Sequence, residues 1–223
     1  MYNITLICSM HREIGKCNSN ELYNIIEKEK PEIIFEEFDI SRTDDEYYRN
    51  GHYKYQESFT VETTTIMKYL ENYKVIHIPV DTYEFSDEMQ EKMNYLYNSI
   101  SQNNSEYIKL LKEQCIMTFQ NGFSFLNSDL FNNLIEEIHN IEKNTLRLIN
   151  NDELFSTYNK WIEITNNREN EMLNNIYKYS KENKYNNAVL ITGAEHGKSI
   201  LSKAKEYNIK ENFEINWMSW RIA

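Results

Sequence analysis

The chain opens on a short apolar run over residues 4–9, too brief for a helix and β-branched enough to predict a buried strand. Leu22, Ile25 and Ile26 then share one helical face, with Ser19 or Asn20 as the expected N-cap. Pro31 closes that helix, and Ile33-Ile34-Phe35-Glu36-Glu37-Phe38 predicts a second strand. Residues 39–56 are polar and Tyr-rich and read as a long loop. A helix over about 58–72 and a third strand over 74–80 follow. Strands and helices alternating at this spacing predict βαβ units and a parallel sheet.

From there the period changes. Met93, Leu96, Tyr97 and Ile100 recur at helical spacing, as do Leu134, Ile138 and Ile141, and then Leu154, Tyr158, Trp161 and Ile162. Residues 84–184 are read as a helical insertion of several helices, broken near Asn121-Gly122 and Asn150-Asn151. The α/β pattern returns with a strand over 188–192, a helix over 198–207 and a last strand over 213–220. The expected fold class is α/β, one domain over residues 1–223. Its central sheet is mostly parallel and flanked by helices, with the insertion between the third and penultimate strands.

Composition narrows the function classes. A net charge of −11 and a pI near 5.0 leave no cationic surplus for coating nucleic acid. Five Gly and two Pro argue against many-turned all-β designs. No stretch approaches the roughly 18 uncharged residues of a membrane helix, and no secretory leader is expected. Cys8, Cys17 and Cys115 lack framework spacing and suit free thiols in a reducing compartment, so a cytoplasmic location is expected.

Ligands of open α/β sheets gather beyond the carboxyl ends of the strands. Those ends carry Cys8-Ser9-Met10-His11, Glu36-Glu37, Asp81 and Gly193-Ala194-Glu195-His196-Gly197. Two histidines with a carboxylate are a common catalytic metal set with positions open for water. Glu36 and Glu37 point to opposite faces of their strand, so one of them is expected to reach the site. The segment Gly193 to Ser199 ends Gly-Lys-Ser like a phosphate-binding loop, but three residues instead of four separate Gly193 from that ending. A weaker anion site at that helix start stays open. No Gly-x-Ser-x-Gly elbow supports a serine hydrolase. His77 and His139 read as core or surface residues, and His52, in the Tyr-rich stretch, as an alternate site residue.

These motifs, in this order, resemble the TraB/Tiki superfamily, which is related to the ChaN-like and erythromycin-esterase-like proteins. Gly193 to His196 matches the family's second Gly-x-x-His motif, and Glu37-Phe38-Asp39 is similar to its Glu-Leu-Asp. Asp81 resembles its third-strand Asp, and Arg168 with Met172 its Arg-(Asp/Asn)-x-x-Met, Glu169 standing at the acid position. The first motif departs from the pattern, reading Cys8-x-x-His11. The resemblance implies a metal-dependent, hydrolase-like core.

The leading expectation is a divalent-metal hydrolase (Zn, Mn or Co) acting on a small-molecule or peptide substrate at a peptide, ester or phosphoester bond. His11, Glu37 and His196 are the expected ligands, Glu37 serving as third ligand or as base. Arg168 would stabilise anionic charge on the substrate. Glu195 or Glu36 would orient a histidine, with Asp81 and His52 as alternates. The competing expectation is a non-catalytic protein sequestering haem or a nucleotide in the same cleft, with Tyr47, Tyr48, Tyr53 and Tyr55 stacking on a planar ring. A third is a helical module binding a protein partner through the insertion.

Overall fold

The computed structural model describes residues 2–40, 60–82 and 86–221. Its elements run β1 (Tyr2–Ser9), α1 (Ser19–Glu29), β2 (Ile33–Asp39), α2 (Val61–Asn72), β3 (Ile76–Asp81), α3 (Asp87–Asn103) and α4 (Ser105–Asn121). The short α5 (Phe123–Leu126), the long α6 (Asp129–Ile149) and α7 (Asp152–Glu182) complete the insertion. Then come β4 (Asn187–Gly193), a 3₁₀ turn (Ala194–His196), α8 (Gly197–Lys210) and β5 (Ile215–Ser219). The five strands form one all-parallel sheet in the order β3-β2-β4-β1-β5.

That order sets where a site can form. The chain moves one way along the sheet through β1, β2 and β3, and the other way from β4 to β5. Such a reversal leaves a crevice at the carboxyl ends of the central strands. β4 lies between β2 and β1, with Ser9 beside Gly193 and Glu36 beside Ile191. Strands sit roughly 4.8 Å apart, so residues leaving β1, β2 and β4 emerge within one short arc. The central strands are apolar on both faces, as a sheet covered by helices requires: Ile4, Leu6, Ile7, Ile34, Phe35, Val189 and Leu190 are all buried. α1 packs on α2, whereas α7 lies along β3 and against α8.

The expected elements form, with adjusted ends. The third strand starts at Ile76, not 74, and the last spans five residues. The first helix is capped by Asn18, not Ser19 or Asn20; its side chain accepts from the N–H groups of Asn20 and Glu21. The insertion breaks at Gly122 and at Asn150-Asn151 as its pattern predicts, and also at Asn104, which ends α3 and caps α4. In this glycine-poor chain Asn supplies the punctuation. Asn104 and Asn151 are N-caps, and Asn150 and Asn212 take the left-handed conformation that Gly usually fills. Cys8 and Cys17 are buried free thiols, Cys115 an exposed one. Among the described residues no helix is long and apolar enough to cross a membrane.

The insertion has a polar knot in its core. Glu142 of α6 is 5% exposed, hydrogen-bonded to Tyr107 of α4, with Tyr97 of α3, Tyr158 of α7 and Glu195 nearby. Burial, and then the Glu195 charge, push its carboxyl up to about 8. An acid whose pKa is raised on folding holds an extra proton in the native state, so its stabilising contribution fades as pH rises from about 4.5 to about 8. Glu142→Gln, which mimics the protonated acid, is expected to match the parent in urea unfolding at pH 5. At pH 9 it should exceed the parent by at least about 1.4 kcal/mol, one pKa unit's worth.

Candidate functional site

Glu37, on the last turn of β2's pleat, is the centre of the arrangement. Its Oε1 accepts from Arg168 Nη2 at 2.7 Å and faces His196 Nε2 at 3.4 Å. Its Oε2 accepts from the Thr192 hydroxyl at 2.8 Å and from the Gly193 N–H at 2.6 Å. Burial alone would raise this carboxyl. His196, His11 and Arg168 together hold it well below the ordinary carboxylate range. Glu36 belongs elsewhere, its Oε1 lying 2.7 Å from Nδ1 of His77 on β3.

Both histidines have a carboxylate on the Nδ1 side, hydrogen-bonded to enclosed His196 and at ion-pair distance from the exposed His11. His196 Nδ1 lies 2.9 Å from Glu169 Oε1, and the second oxygen of Glu169 accepts from Ser199 at 2.5 Å and from Lys203 at 2.7 Å. His11 Nδ1 lies 3.6 Å from Glu62 Oε1, which also accepts from the Ser9 hydroxyl. Each imidazole thus has a glutamate behind it; His11 turns Nε2 toward Gly193, whereas His196 brings its Cδ2 edge there and faces Glu37 Oε1 with Nε2. A Cβ on Gly193 would sit 3.3 Å from His11 Nε2, 3.4 Å from Glu37 Oε2 and 3.6 Å from His196 Cδ2. Only a residue without a side chain leaves that space open. Burial would lower His196, but the bonds to Glu169 and Glu37 prevail and raise it to about 10. Glu62 raises His11 to about 9.

Arg168 leaves the middle of α7 and bridges two strand ends. Besides Glu37 it reaches Asp81 at the end of β3, its Nε donating to Oδ2 at 3.1 Å. Both carboxylates and the guanidinium are nearly enclosed, with side-chain exposures of 6%, 2% and 11%. One residue on, Glu169 points to the other side of the helix and is 2% exposed. Arg168 is therefore engaged by two protein carboxylates.

The structure brings His11, Glu37, Asp81, Arg168 and His196 into one network. Glu195 is exposed and Glu36 is engaged with His77, so neither lies on Nδ1 of His11 or His196. Glu169 and Glu62 hold those positions, and neither was foreseen for them. A buried acid one residue after Arg168 on an otherwise apolar helix face was the available signal for Glu169. Glu62, in the first turn of α2, looks from sequence like any acid placed to suit the helix dipole. His52, Tyr47, Tyr48, Tyr53 and Tyr55 lie outside the described residues. Among the described residues no group of three or more His, Cys, Asp or Glu side chains stands ready-made around a metal position.

Two hollows flank the network. A small one of about 60 Å³ is lined by His11, Glu37, Glu62 and Thr192. Glu62 Oε2 is buried there without a hydrogen-bond partner among the described residues. A groove of about 570 Å³ runs between α6 and α7 and ends on His196, Glu169 and Glu195. The turn under His196 depends on Gly197, where a Cβ would collide with the Cys8 sulfur. Cys8 in turn has its N–H and C=O held by the side-chain amide of Asn127, at 2.8 and 3.0 Å. That clamp fixes the end of β1 ahead of His11.

Comparison with protein-family models, with curated proteins and with solved structures finds no match to the chain.

Two stability measurements probe the geometry. Gly197→Ala is expected to cost about 1–3 kcal/mol by overpacking, and Cys8→Ala in the same chain to recover most of it, a coupling visible in a double-mutant cycle. Arg168→Met leaves Asp81 and Glu37 facing each other without their counter-charge. Urea unfolding should then show a loss of about 3–5 kcal/mol, partly restored by adding Asp81→Asn.

Proposed function

We propose that the chain is a divalent-metal-dependent hydrolase of the TraB/Tiki type, with its centre at the carboxyl ends of β1, β2 and β4. The single observation that carries this reading is the pair of carboxylate-backed histidines turned toward one glycine. Metal-binding imidazoles regularly donate their other N–H to a carboxylate, which fixes the ring and raises its basicity. His11 has Glu62 and His196 has Glu169 in that position.

The donor chemistry fits a zinc-, manganese- or cobalt-like ion. The space kept open by Gly193 adjoins the His11 Nε2, a Glu37 carboxylate oxygen and the ring edge of His196. His11 and His196 would hold the ion. Glu37 would join them through Oε1, whose 3.4 Å contact with His196 is its loosest. When bound, such an ion supplies Lewis acidity toward a substrate oxygen and acidifies a water. The remaining work falls to the chain. Arg168, Thr192 and the Gly193 N–H keep Glu37 anionic and oriented. Glu62, with an oxygen that has no hydrogen-bond partner among the described residues and a cavity of about 60 Å³ beside it, is the acceptor best placed to take a proton from an attacking water. Glu37, with donors on both oxygens, is the less available base.

Purified protein equilibrated with zinc, manganese or cobalt and then gel-filtered is expected to retain one equivalent of at least one of them, measured by elemental analysis. His196→Ala and His11→Ala should each lose it, and Arg168→Lys should keep it. Retention of none of the three metals by the parent chain overturns the reading.

A further inference from the structure

Resting on that hydrolase reading, the groove between α6 and α7 says what kind of molecule reaches the histidines. It opens onto His196, and at about 570 Å³ it is the size of a small-molecule site. Its walls are two helix faces. Phe131 and Ile135 come from α6, and Trp161 and Ile162 from α7, making an apolar strip. Asn132, Asn140 and Asn166 place neutral amides along the same walls.

The charges at the groove argue against an anionic ligand. Lys198 is already bonded to Glu136 at 3.1 Å. Lys203, behind the histidine, is bonded to Glu169 at 2.7 Å. The start of α8, where a phosphate would otherwise be welcome, is taken by the Glu169 carboxylate through Ser199, and Glu195 stands exposed beside it. A phosphate there would meet two carboxylates and no uncommitted cation among these residues. A neutral hydrogen-bonding group has a partner waiting. Thr165 Oγ1, in the groove wall, is buried with no hydrogen-bond partner among the described residues. Leaving such a group unmade is costly unless a ligand completes it.

We propose that the α6–α7 groove binds an uncharged small molecule, its apolar ring or chain along Trp161 and Ile135 and a neutral polar group on Thr165, so that the bond presented to His196 is a carboxylic ester or amide rather than a phosphoester.

The test uses the full chain without added metal and two probes that share a phenyl ring, acetanilide and phenyl phosphate. Ligand-observed saturation-transfer NMR should detect acetanilide, and the indole N–H of Trp161 should shift on titration. Thr165→Val is expected to weaken acetanilide at least threefold, Thr165→Ser to keep it, and phenyl phosphate to give no transfer. Phenyl phosphate binding as tightly as acetanilide overturns the proposal. So does acetanilide binding that is indifferent to both Thr165→Val and Trp161→Ala. The hydrolase reading fails separately. If acetanilide binds as described while the metal-treated parent leaves phenyl acetate uncleaved, the groove assignment stands and the catalytic one falls.

Discussion

A charged carboxylate enclosed at the end of a central strand has to be neutralised on the spot, and Glu37 is where this fold meets that demand. An unpaired buried carboxylate would cost several kcal/mol even after relaxation. Glu37 avoids the cost by taking donors from three parts of the chain: the guanidinium of α7, the hydroxyl and N–H at the end of β4, and the ring of His196. Those bonds tie β2 to β4 and both to the insertion. They also fix the surroundings of Gly193, and so the point toward which the histidines turn. The strand order makes the tie possible, because β4 alone separates β2 from β1.

Around that hub, lack of side chains matters as much as their presence. Gly193 and Gly197 bracket His196, and neither needs its glycine for an unusual backbone, since both have φ near −55°. Close approach demands glycine at 197, while at 193 a Cβ would fit snugly and take up the space between its neighbours. At 193 the approaching groups are His11, Glu37 and His196, and at 197 the neighbour is the Cys8 sulfur. Cys8, near the end of β1, is thereby matched by a glycine across the contact. Asn127 supplies the backbone restraint. The thiol itself is buried, which keeps it protonated and inert.

Much of the fold was legible because its signals are local. Alternating apolar runs and helical periods placed five strands and the insertion, and the ends of β1, β2, β3 and β4 pointed to His11, Glu37, Asp81 and His196. What could not be read was pairing across the sheet. Sequence order does not say that β4 inserts between β1 and β2, so it did not say which carboxylate would stand behind which histidine. Glu195, adjacent to His196, was the natural guess. The backbone of the 3₁₀ turn instead sends it outward, and Glu169, 27 residues earlier on α7, takes the place. Glu62 was hidden for a related reason: its partners Ser9 and His11 are more than 50 positions away, and in its own helix it looks like an ordinary first-turn acid.

The insertion is therefore a working part of the site. Adjacent residues on an α-helix diverge by about 100°, and α7 uses that angle: Arg168 turns toward the ends of β2 and β3, and Glu169 toward the start of α8. One helix so serves both the hub and the histidine beside it. Its neighbour α6 adds the far wall of the groove. The two helices carry different constraints as a result. Shifting α7 by one residue along its axis would misdirect both charges at once, whereas changes on the groove face of α6 would alter what the cleft accepts and leave the charged centre intact. A scaffold divided in that way can change its groove walls while keeping the charge balance around Glu37.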